Sequence, residues 1–263
     1  MIKIITNILN DIRTVIWFIS QGPSFYASLI DYTLRNFRKN NDTNILRESA
    51  REWCQSKAIP KEDLYAYLGF SSFSSQIFTE KFIEEKSEVI RSSNADFGGM
   101  GDIYLIHDIC ENIQARNCIE TGVAYGWSSE AILSSISSRE GNLISVDMPM
   151  IGQDDYHLIG FVVSEPNKAN WTLLRMPDMN GLKKAIKLHG SNSIDFIHYD
   201  SDKSYYGRKW SQPIILEALS KNGIFVSDDI NDNFAFKEFV EEYKLNYYVI
   251  EYGGKFVGII RKS

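Results

Sequence analysis

From Ile103 onward the sequence alternates between apolar, strand-like runs and amphipathic, helix-like runs, and few folds accommodate that order. Strands are predicted at 117–121, 142–147, 171–175, 194–200 and 224–227, and helices at 103–114, 128–137, 181–188, 208–220 and 234–243. The run 194–200 is almost continuously apolar, as expected for a strand that is covered on both faces. The pattern predicts an α/β fold with a doubly wound, mostly parallel sheet.

The end of the chain predicts a different kind of strand pairing. Two further strands are predicted at 247–252 and 256–261, and Gly253 and Gly254 lie between them. Such a short glycine turn is typical of an antiparallel hairpin. A terminal antiparallel hairpin is unlike a plain dinucleotide-binding domain. Upstream, Asn222 and Gly223 are predicted to end the helix at 208–220.

Residues 1–95 are predicted to be mostly helical, because they lack the alternation that strands require. Helices are expected over the first apolar stretch, which ends at Gly22-Pro23, and then at 26–37, 44–55 and 75–92. Glycines between 94 and 101 suggest a linker. We therefore predict a helical N-terminal arm at 1–95, followed by the α/β domain at 96–263.

The first 40 residues of the arm differ in charge from the rest of the protein. The chain has a formal net charge of −6, but basic residues outnumber acidic ones over residues 1–40: Lys3, Arg13, Arg35, Arg38 and Lys39 against Asp11 and Asp31. The acidic balance argues against a nucleic acid partner. The arm is interpreted either as a cap or dimerisation element, which would make a homo-oligomer, or as helices lying on an anionic membrane.

The cellular compartment is inferred from the spacing of the cysteines and from the length of the apolar runs. Cys54, Cys110 and Cys118 show neither metal-binding nor disulfide spacing, so the chain is expected to be reduced. No segment has the about 18–20 apolar residues that a membrane span needs. Asp11 and Arg13 interrupt the N-terminal apolar run, so no signal peptide is expected. The prediction is a cytoplasmic protein whose arm could meet the inner face of a membrane.

Residues 120–126 read Glu-Thr-Gly-Val-Ala-Tyr-Gly and join a predicted strand to a predicted helix. Glycine permits a sharp turn and lets a ligand approach the backbone, which explains Gly122 and Gly126. Ligands of open α/β sheets bind beyond the carboxyl ends of the strands. Asp147 ends the next strand, where an acid can accept hydrogen bonds from ribose hydroxyls. Together these residues predict a cofactor that contains ribose.

The loop spacing distinguishes two cofactor classes. Nicotinamide-binding loops read G-x-G-x-x-G and bring a helix N-terminus to a pyrophosphate, whereas this loop reads E-x-G-x-x-x-G. S-adenosylmethionine has no phosphate and carries a sulfonium and an ammonium, which an acid such as Glu120 suits. A nicotinamide-dependent oxidoreductase and a non-catalytic module remain the alternatives from other classes.

The loop, the acid after the second strand and the terminal hairpin resemble class I S-adenosylmethionine-dependent methyltransferases. The resemblance implies that the loop after the third strand contacts the adenine, although Asp178 there could instead cap a helix. Tyr125 could line the pocket or the core, and Ser128 could bind the methionine carboxylate or cap its helix. The predicted cofactor contacts are Glu120, Thr121, Gly122, Tyr125, Gly126, Ser128, Asp147 and Asp178.

Aspartates follow two more predicted strands, at Asp200, Asp202, Asp228 and Asp229. Carboxylates that converge there would repel one another unless a positive charge intervened. A hard divalent cation such as Mg²⁺ prefers oxygen ligands. We therefore predict a divalent cation, Mg²⁺ or another, held by Asp200, Asp228 and Asp229. The alternative is that these residues are helix N-caps.

Lys203 follows Asp200 by three residues and is predicted as a catalytic base for a hydroxyl. A bound cation would disfavour its charged form, so its pKa is expected to fall. The metal held by Asp200 would acidify the same hydroxyl. The alternative role of Lys203 is to neutralise the carboxylates. His198, in the middle of a strand, is interpreted as a core histidine with satisfied hydrogen bonds.

The segments 195–205 (DFIHYDSDKSY) and 222–229 (NGIFVSDD) resemble the cation-dependent O-methyltransferases of the caffeoyl-CoA and catechol types, which carry D-x-x-K and a D-N pair. The resemblance, which covers about 101–261, implies metal ligands at Asp200, Asp228 and Asp229 and a catalytic lysine at Lys203. Asp229 stands where the family usually has asparagine.

The string DSDKSYYG is also similar to a bacterial group that includes macrocin O-methyltransferase, which acts on a sugar hydroxyl. Ser201 and Lys203 replace the glycine and histidine usual in that group. The expected reaction is methyl transfer to a hydroxyl of a sugar, glycan-like or other diol molecule. A phenolic acceptor is the alternative.

Overall fold

The computed structural model describes residues 2–34, 43–73, 77–93, 96–149 and 156–263. In these ranges it contains one seven-stranded sheet, in the order β3-β2-β1-β4-β5-β7-β6. The strands are β1 (Asn117–Thr121), β2 (Asn142–Val146), β3 (Trp171–Leu174), β4 (Ile194–Tyr199), β5 (Leu219–Ser227), β6 (Tyr247–Tyr252) and β7 (Lys255–Arg261). The first five run parallel, and β7 is antiparallel to both β5 and β6. The predicted doubly wound sheet with a C-terminal hairpin is confirmed.

Helices flank this sheet and also precede it. The N-terminal region forms α1 (Ile2–Ser20), α2 (Tyr26–Leu34), α3 (Asn44–Lys57), α4 (Lys61–Leu68) and α5 (Glu80–Ser92). The sheet region adds α6 (Ile103–Asn112), α7 (Trp127–Ile136), α8 (Asp178–His189), α9 (Tyr205–Ala218) and α10 (Ala235–Glu242). Among the described helices, none is both long and apolar enough to cross a bilayer. The three cysteines are buried free thiols.

The predicted end of the helix before β5 is wrong. Helix α9 ends at Ala218, and Asn222 and Gly223 lie inside β5. Asn222 takes a positive φ of 64°, and its backbone N–H donates to the carbonyl of Lys262 at 2.8 Å. The pairing of β5 with β4 shifts register in the same region, between Ile194 and Phe196. The Asn-Gly pair therefore marks an irregularity in a strand. Such an irregularity and a helix terminus can both hold a residue with a positive φ.

Helix α4 was not predicted, although its ends carry local signals. Pro60 precedes its first residue, Glu62 and Asp63 lie in its first turn, and Gly69 closes it with a φ of +70°. Acids near the N-terminus and a left-handed glycine at the C-terminus both favour a helix. The helix has only eight residues, so its apolar period is too short to be recognised.

Helices of the N-terminal region pack on the sheet region. Cys54 of α3 and Leu64 of α4 are completely buried in its two hydrophobic clusters. The backbone N–H of Ile59 donates to the carbonyl of Val249 in β6 at 2.9 Å. The first pair of helices also docks, because Ser28 Oγ of α2 donates to Asn180 Oδ1 of α8 at 2.6 Å. A boundary at residue 95 stays a prediction.

Candidate active site

A cavity of about 820 Å³ lies at the carboxyl ends of β1, β2, β4 and β5. Main-chain bonds join the loops that follow these strands: Asp200 N donates to Thr121 O at 2.9 Å, and Asp228 N donates to Tyr199 O at 3.1 Å. The order of strands reverses at β1, so the helices after β1 and β4 pack on opposite faces of the sheet and leave a crevice between them, as in open α/β sheets. The predicted site residues are therefore brought to one edge of the sheet.

The glycine loop after β1 forms part of the cavity wall. Gly122 has a φ of +83°, and a Cβ there would overlap the carbonyl group of Asp200. Gly126 has a φ of +89°, and a Cβ there would lie 2.8 Å from Gly160 Cα. Gly122, Tyr125 and Ser128 line the cavity, as does Trp127. Glycine is thus required at both predicted positions by close backbone approach as well as by φ.

Glu120 and Thr121 support the loop from behind and do not line the cavity. Glu120 is completely buried and accepts hydrogen bonds from Ser128 Oγ at 2.5 Å, Ser129 Oγ at 2.6 Å and Ser145 Oγ at 2.7 Å. Its carboxylate therefore acts on the cavity only indirectly, through its hydrogen bond with Ser128. Thr121 is also buried, and its hydroxyl accepts a hydrogen bond from Ser201 at 2.8 Å.

Asp147 lines the cavity beside the glycine loop. Its Oδ1 accepts a hydrogen bond from the backbone N–H of Val123 at 3.0 Å, and its Oδ2 pairs with Arg175. Burial raises the pKa of this carboxyl above its ordinary value, although Val123 and Arg175 act in the opposite direction. Arg175 was not singled out from the sequence, where it is one basic residue after a strand. The pairing of β2 with β3 brings it to Asp147.

Asp178 begins α8 and lines the same cavity. Its Oδ2 accepts a hydrogen bond from the hydroxyl of Ser201 and a longer one, of 3.3 Å, from Asp202 N. Burial raises the pKa of Asp178 to about 6. The helix begins at Asp178 itself, with Pro177 as N-cap. Asp178 therefore does not occupy the N-cap position that was its alternative role.

Lys203 lies among the predicted metal ligands. Its Nζ is 2.7 Å from Asp200 Oδ1 and is paired with Asp229 Oδ2, which Lys255 Nζ also approaches at 3.3 Å. Burial acts to lower the pKa of Lys203, but the two carboxylates outweigh it and hold the pKa well above its usual range. The fall in pKa expected beside a bound cation stays a prediction. With these carboxylates as its neighbours, Lys203 is favoured in its charged form.

The described residues contain no group of three His, Cys, Asp or Glu side chains placed to hold one metal ion. Lysine ammonium groups engage two of the predicted ligands, and the third, Asp228, faces His198, with Oδ2 3.5 Å from Nε2. Burial and the negative charge of Asp228 both raise the pKa of Asp200. The repulsion expected among these carboxylates is therefore relieved partly by cationic side chains.

His198 differs from its interpretation as a satisfied core histidine. It is buried but lines the cavity, and neither ring nitrogen has a hydrogen bond. Its environment is ionic, because Asp228 lies on one side and Glu120 Oε1 is 3.8 Å from Nδ1. Burial lowers the pKa of His198, but these carboxylates, with Asp200, raise it to about 10.

Arg208 is a further residue that the sequence did not reveal. This arginine of α9 is buried and donates to Ser227 Oγ at 2.7 Å, Asp228 O at 2.7 Å and Asp229 O at 3.1 Å. It thereby fixes the backbone that carries both aspartates. Asp229 itself has a positive φ of 52°, which such bonds help to maintain.

The N-terminal arm closes one side of the cavity. Lining residues come from α1 (Asp11, Thr14 and Phe18) and from α2 (Ser28, Asp31 and Tyr32). Tyr32 donates its hydroxyl hydrogen bond to Asp11 Oδ1 at 2.9 Å, which links the two helices. The arm thus presents a largely polar wall to the cavity. No local motif in the arm predicted this placement.

Part of the chain matches a known protein family, and several solved structures have a similar fold. Residues 119–230 match a family described as "Methyltransferase domain". A search of curated proteins finds no match. Similar solved structures include an O-methyltransferase from Bacillus cereus in complex with SAH, with 14% identity, a TM-score of 0.56, and coverage of 80% of this chain and 100% of that one.

Two further structures are similar at the level of the fold. The SAH-bound methyltransferase PaMTH1 from Podospora anserina has 13% identity, a TM-score of 0.53, and coverage of 84% of this chain and 97% of that one. The O-methyltransferase TomG from Streptomyces achromogenes, involved in tomaymycin synthesis and solved with SAM, has 13% identity, a TM-score of 0.53, and coverage of 73% and 94%.

Proposed function

We propose that this chain is an S-adenosylmethionine-dependent methyltransferase of class I fold, and that it methylates a hydroxyl oxygen of a sugar, glycan-like or other diol molecule. The observation that carries the proposal is the composition of the main cavity. The glycine loop and Asp147, which suit the cofactor, share one cavity with Asp200 and Lys203, which suit a hydroxyl group. A phenolic acceptor is the alternative within the same reaction class.

The proposed reaction is an in-line displacement. The acceptor oxygen forms a bond to the methyl carbon as the carbon–sulfur bond breaks, which leaves S-adenosylhomocysteine. Without a bound cation, the proton of the acceptor passes to the Asp200 carboxylate, whose raised pKa suits it to that task; with a cation bound to Asp200, the proton passes to water. Lys203 stays charged and stabilises the negative charge that develops on the acceptor oxygen. Alignment of the two reactants contributes much of the acceleration.

The first prediction tests the cofactor. Isothermal titration of the full chain with S-adenosylmethionine is expected to show binding, and Asp147→Ala is expected to weaken it about 10–100-fold, because hydrogen bonds to a charged group contribute about 1.5–3 kcal/mol. Glu165→Ala, which removes an exposed surface carboxylate, serves as the control and should bind normally. Absence of heat with the unmodified chain would contradict the cofactor assignment.

The polar wall of the arm supports the acceptor class. Thr14, Asp31 and the linked pair Asp11 and Tyr32 face the cavity and could hydrogen bond to several hydroxyls. A flat phenol offers fewer hydroxyl groups to this wall than a sugar does. Mass spectrometry of a metabolite mixture, incubated with the enzyme and cofactor, should reveal products heavier by one CH₂. Sugar products support the proposal, whereas phenolic products alone support the alternative.

A divalent cation is the finer part of the proposal. Asp200 and Asp228 face one cavity and interact by like charge, which favours a cation between them. Asp229 suits this role less well, because two lysines, Lys203 and Lys255, engage it, whereas among the described residues Lys203 alone engages Asp200. Mg²⁺, with water filling its other positions, would lower the pKa of a hydroxyl bound to it.

The second prediction tests that cation. EDTA is expected to lower the rate of methyl transfer, and excess Mg²⁺ is expected to restore it. Asp228→Asn should weaken the response to Mg²⁺, whereas Asp232→Asn, in the next turn and paired with Arg47, should leave it unchanged. A rate that is the same in EDTA and in Mg²⁺ would remove the cation from the proposal and leave methyl transfer intact.

For the arm, we propose peripheral contact with an anionic membrane. Apolar side chains of α1 are half exposed or more, at Ile12, Ile16 and Ile19. The basic residues Arg35, Arg38 and Lys39 lie outside the described residues. The full chain should sediment with vesicles of phosphatidylserine and phosphatidylcholine, and the Ile16→Glu variant should not. Ile45→Glu, which changes another exposed isoleucine, is the control and should sediment as the unmodified chain does. Light scattering that shows self-association without vesicle binding would favour the homo-oligomer instead.

A further inference from the structure

A second cavity, of about 410 Å³, adjoins the main one. It lies between α2 of the arm and α9, and Asp31, Asp178, Met179 and Asp202 line both cavities. Asp202 immediately precedes Lys203 in the chain. The shared wall is therefore next to the position where the acceptor hydroxyl is proposed to react.

We propose that this second cavity binds the neighbouring unit of an oligosaccharide or glycoconjugate, while the unit to be methylated occupies the main cavity. The proposal rests on the proposed methyl transfer to a sugar hydroxyl. It assigns to the enzyme an extended acceptor rather than a free monosaccharide.

The lining of the second cavity has the chemistry that recognises a sugar ring. Tyr206 and Trp210 of α9 present aromatic surface, and Asp31 and Asp202 present carboxylates. Aromatic faces pack against the C–H face of a pyranose, while carboxylates accept hydrogen bonds from its hydroxyls. A mainly apolar cavity with a few convergent polar groups is the usual form of a small-molecule site.

Neighbouring side chains support both aromatic rings. Tyr205 meets Tyr206 edge to face, with ring centroids 5.5 Å apart, and the Tyr205 hydroxyl donates to Glu238 at 2.6 Å. Lys183 Nζ lies 5.6 Å from the ring centroid of Trp210. Tyr206 nevertheless keeps 42% of its surface exposed. Its ring is therefore supported at one edge and accessible to a ligand.

The acidic wall is also fixed in position. Tyr199 donates its hydroxyl hydrogen bond to the carbonyl of Asp202 at 2.9 Å, and Asp202 Oδ1 accepts from Ser204 N at 3.1 Å. On the other side, the bond between Ser28 and Asn180 docks α2 against α8. Both sides of the second cavity are thus held in place without a ligand, which lowers the cost of binding.

The test is a printed array of glycans of one to six units, probed with the full chain in the presence of S-adenosylhomocysteine. Oligosaccharides are expected to be retained at least tenfold more strongly than monosaccharides that carry the same terminal sugar. Tyr206→Ala should lose about tenfold in retention, which corresponds to about 1.4 kcal/mol. Tyr67→Ala, which removes a tyrosine that is 67% exposed on α4, should retain glycans normally.

Three results would overturn the second subsite: equal retention of mono- and oligosaccharides, no change in Tyr206→Ala, or no glycan retained at all. Methyl transfer is followed separately, as S-adenosylhomocysteine formed with the metabolite mixture. If the chain forms methylated product but gives any of these array results, the proposed reaction stands and the proposed subsite is contradicted. Unchanged thermal unfolding of Tyr206→Ala excludes misfolding as the cause of lost retention.

Discussion

Lys203→Met is expected to slow methyl transfer by about 10²–10⁴-fold while leaving S-adenosylmethionine binding within a few-fold of normal. The side chain is a cation because Asp200 and Asp229 hold its pKa above the usual range. Methionine preserves much of the apolar stem but removes the charge beside the reacting oxygen. The cofactor residues Gly122 and Asp147 come from other loops, so the affinity for the cofactor should stay near normal while the rate falls.

The same substitution is expected to lower the free energy of unfolding by about 2 kcal/mol at neutral pH, because Asp200 loses its lysine partner and Asp229 keeps, among the described side chains, only Lys255. Lys203 lowers the pKa of Asp229, although burial opposes this. The stability from this pair is therefore present above the ordinary aspartate pKa and is lost as the pH falls through the lowered one. The difference between the two proteins should shrink accordingly in acid.

The measurements are steady-state kinetics, titration calorimetry and urea unfolding between pH 3 and pH 8. Lys168→Met, which removes an exposed lysine paired with Glu165, is the matched control and should change none of them. Lys203→Arg keeps the charge and should restore part of the rate, although its planar head group differs in shape. A folded Lys203→Met enzyme with a normal rate would remove this residue from the mechanism.

Gly122→Ala is expected to abolish detectable S-adenosylmethionine binding and to destabilise the fold by about 3 kcal/mol. A left-handed φ costs an alanine about 1 kcal/mol. The added Cβ would also lie 2.8 Å from the carbonyl carbon of Asp200, and closer still to its oxygen. Because backbone atoms cannot rotate away, the loops after β1 and β4 must separate, at a further cost of about 1–3 kcal/mol.

Gly69→Ala provides the control for this prediction. Gly69 also has a left-handed φ, of +70°, but a Cβ there meets nothing within 4 Å. It should cost only about 1 kcal/mol and leave cofactor binding intact. Urea unfolding and titration calorimetry of both variants separate backbone strain from steric overlap. Equal losses in the two variants would show that the contact with Asp200 has no role.

Much of the fold could be predicted because its signals are local. Apolar runs and helical periods span only a few residues, and they identified β1, β2, β4 and the C-terminal hairpin. The glycine loop was recognisable for the same reason, since its turn is contained within seven residues. Short helices such as α4 were missed, because eight residues give too little periodicity.

The charges of the candidate site could not be predicted in this way. The pair of Lys203 and Asp229 joins residues 26 apart in sequence, and the pair of Arg175 and Asp147 joins residues 28 apart. Because Asp200 and the other aspartates follow the ends of strands, the sequence suggested a metal ion. In the structure, the ammonium group of Lys203 lies among the same carboxylates. The pairing of β4 with β5 and of β2 with β3 determines which charge meets which.

The sequence by itself therefore determined the sheet, the cofactor loop and the edge at which the aspartates gather, because strand order and alternation fix where carboxyl ends meet. The tertiary structure alone decided the ion pairs of Lys203, the supporting role of Glu120 and the placement of the arm over the cavity. These features depend on distances between segments remote in sequence, and electrostatic and steric interactions act through those distances rather than along the chain.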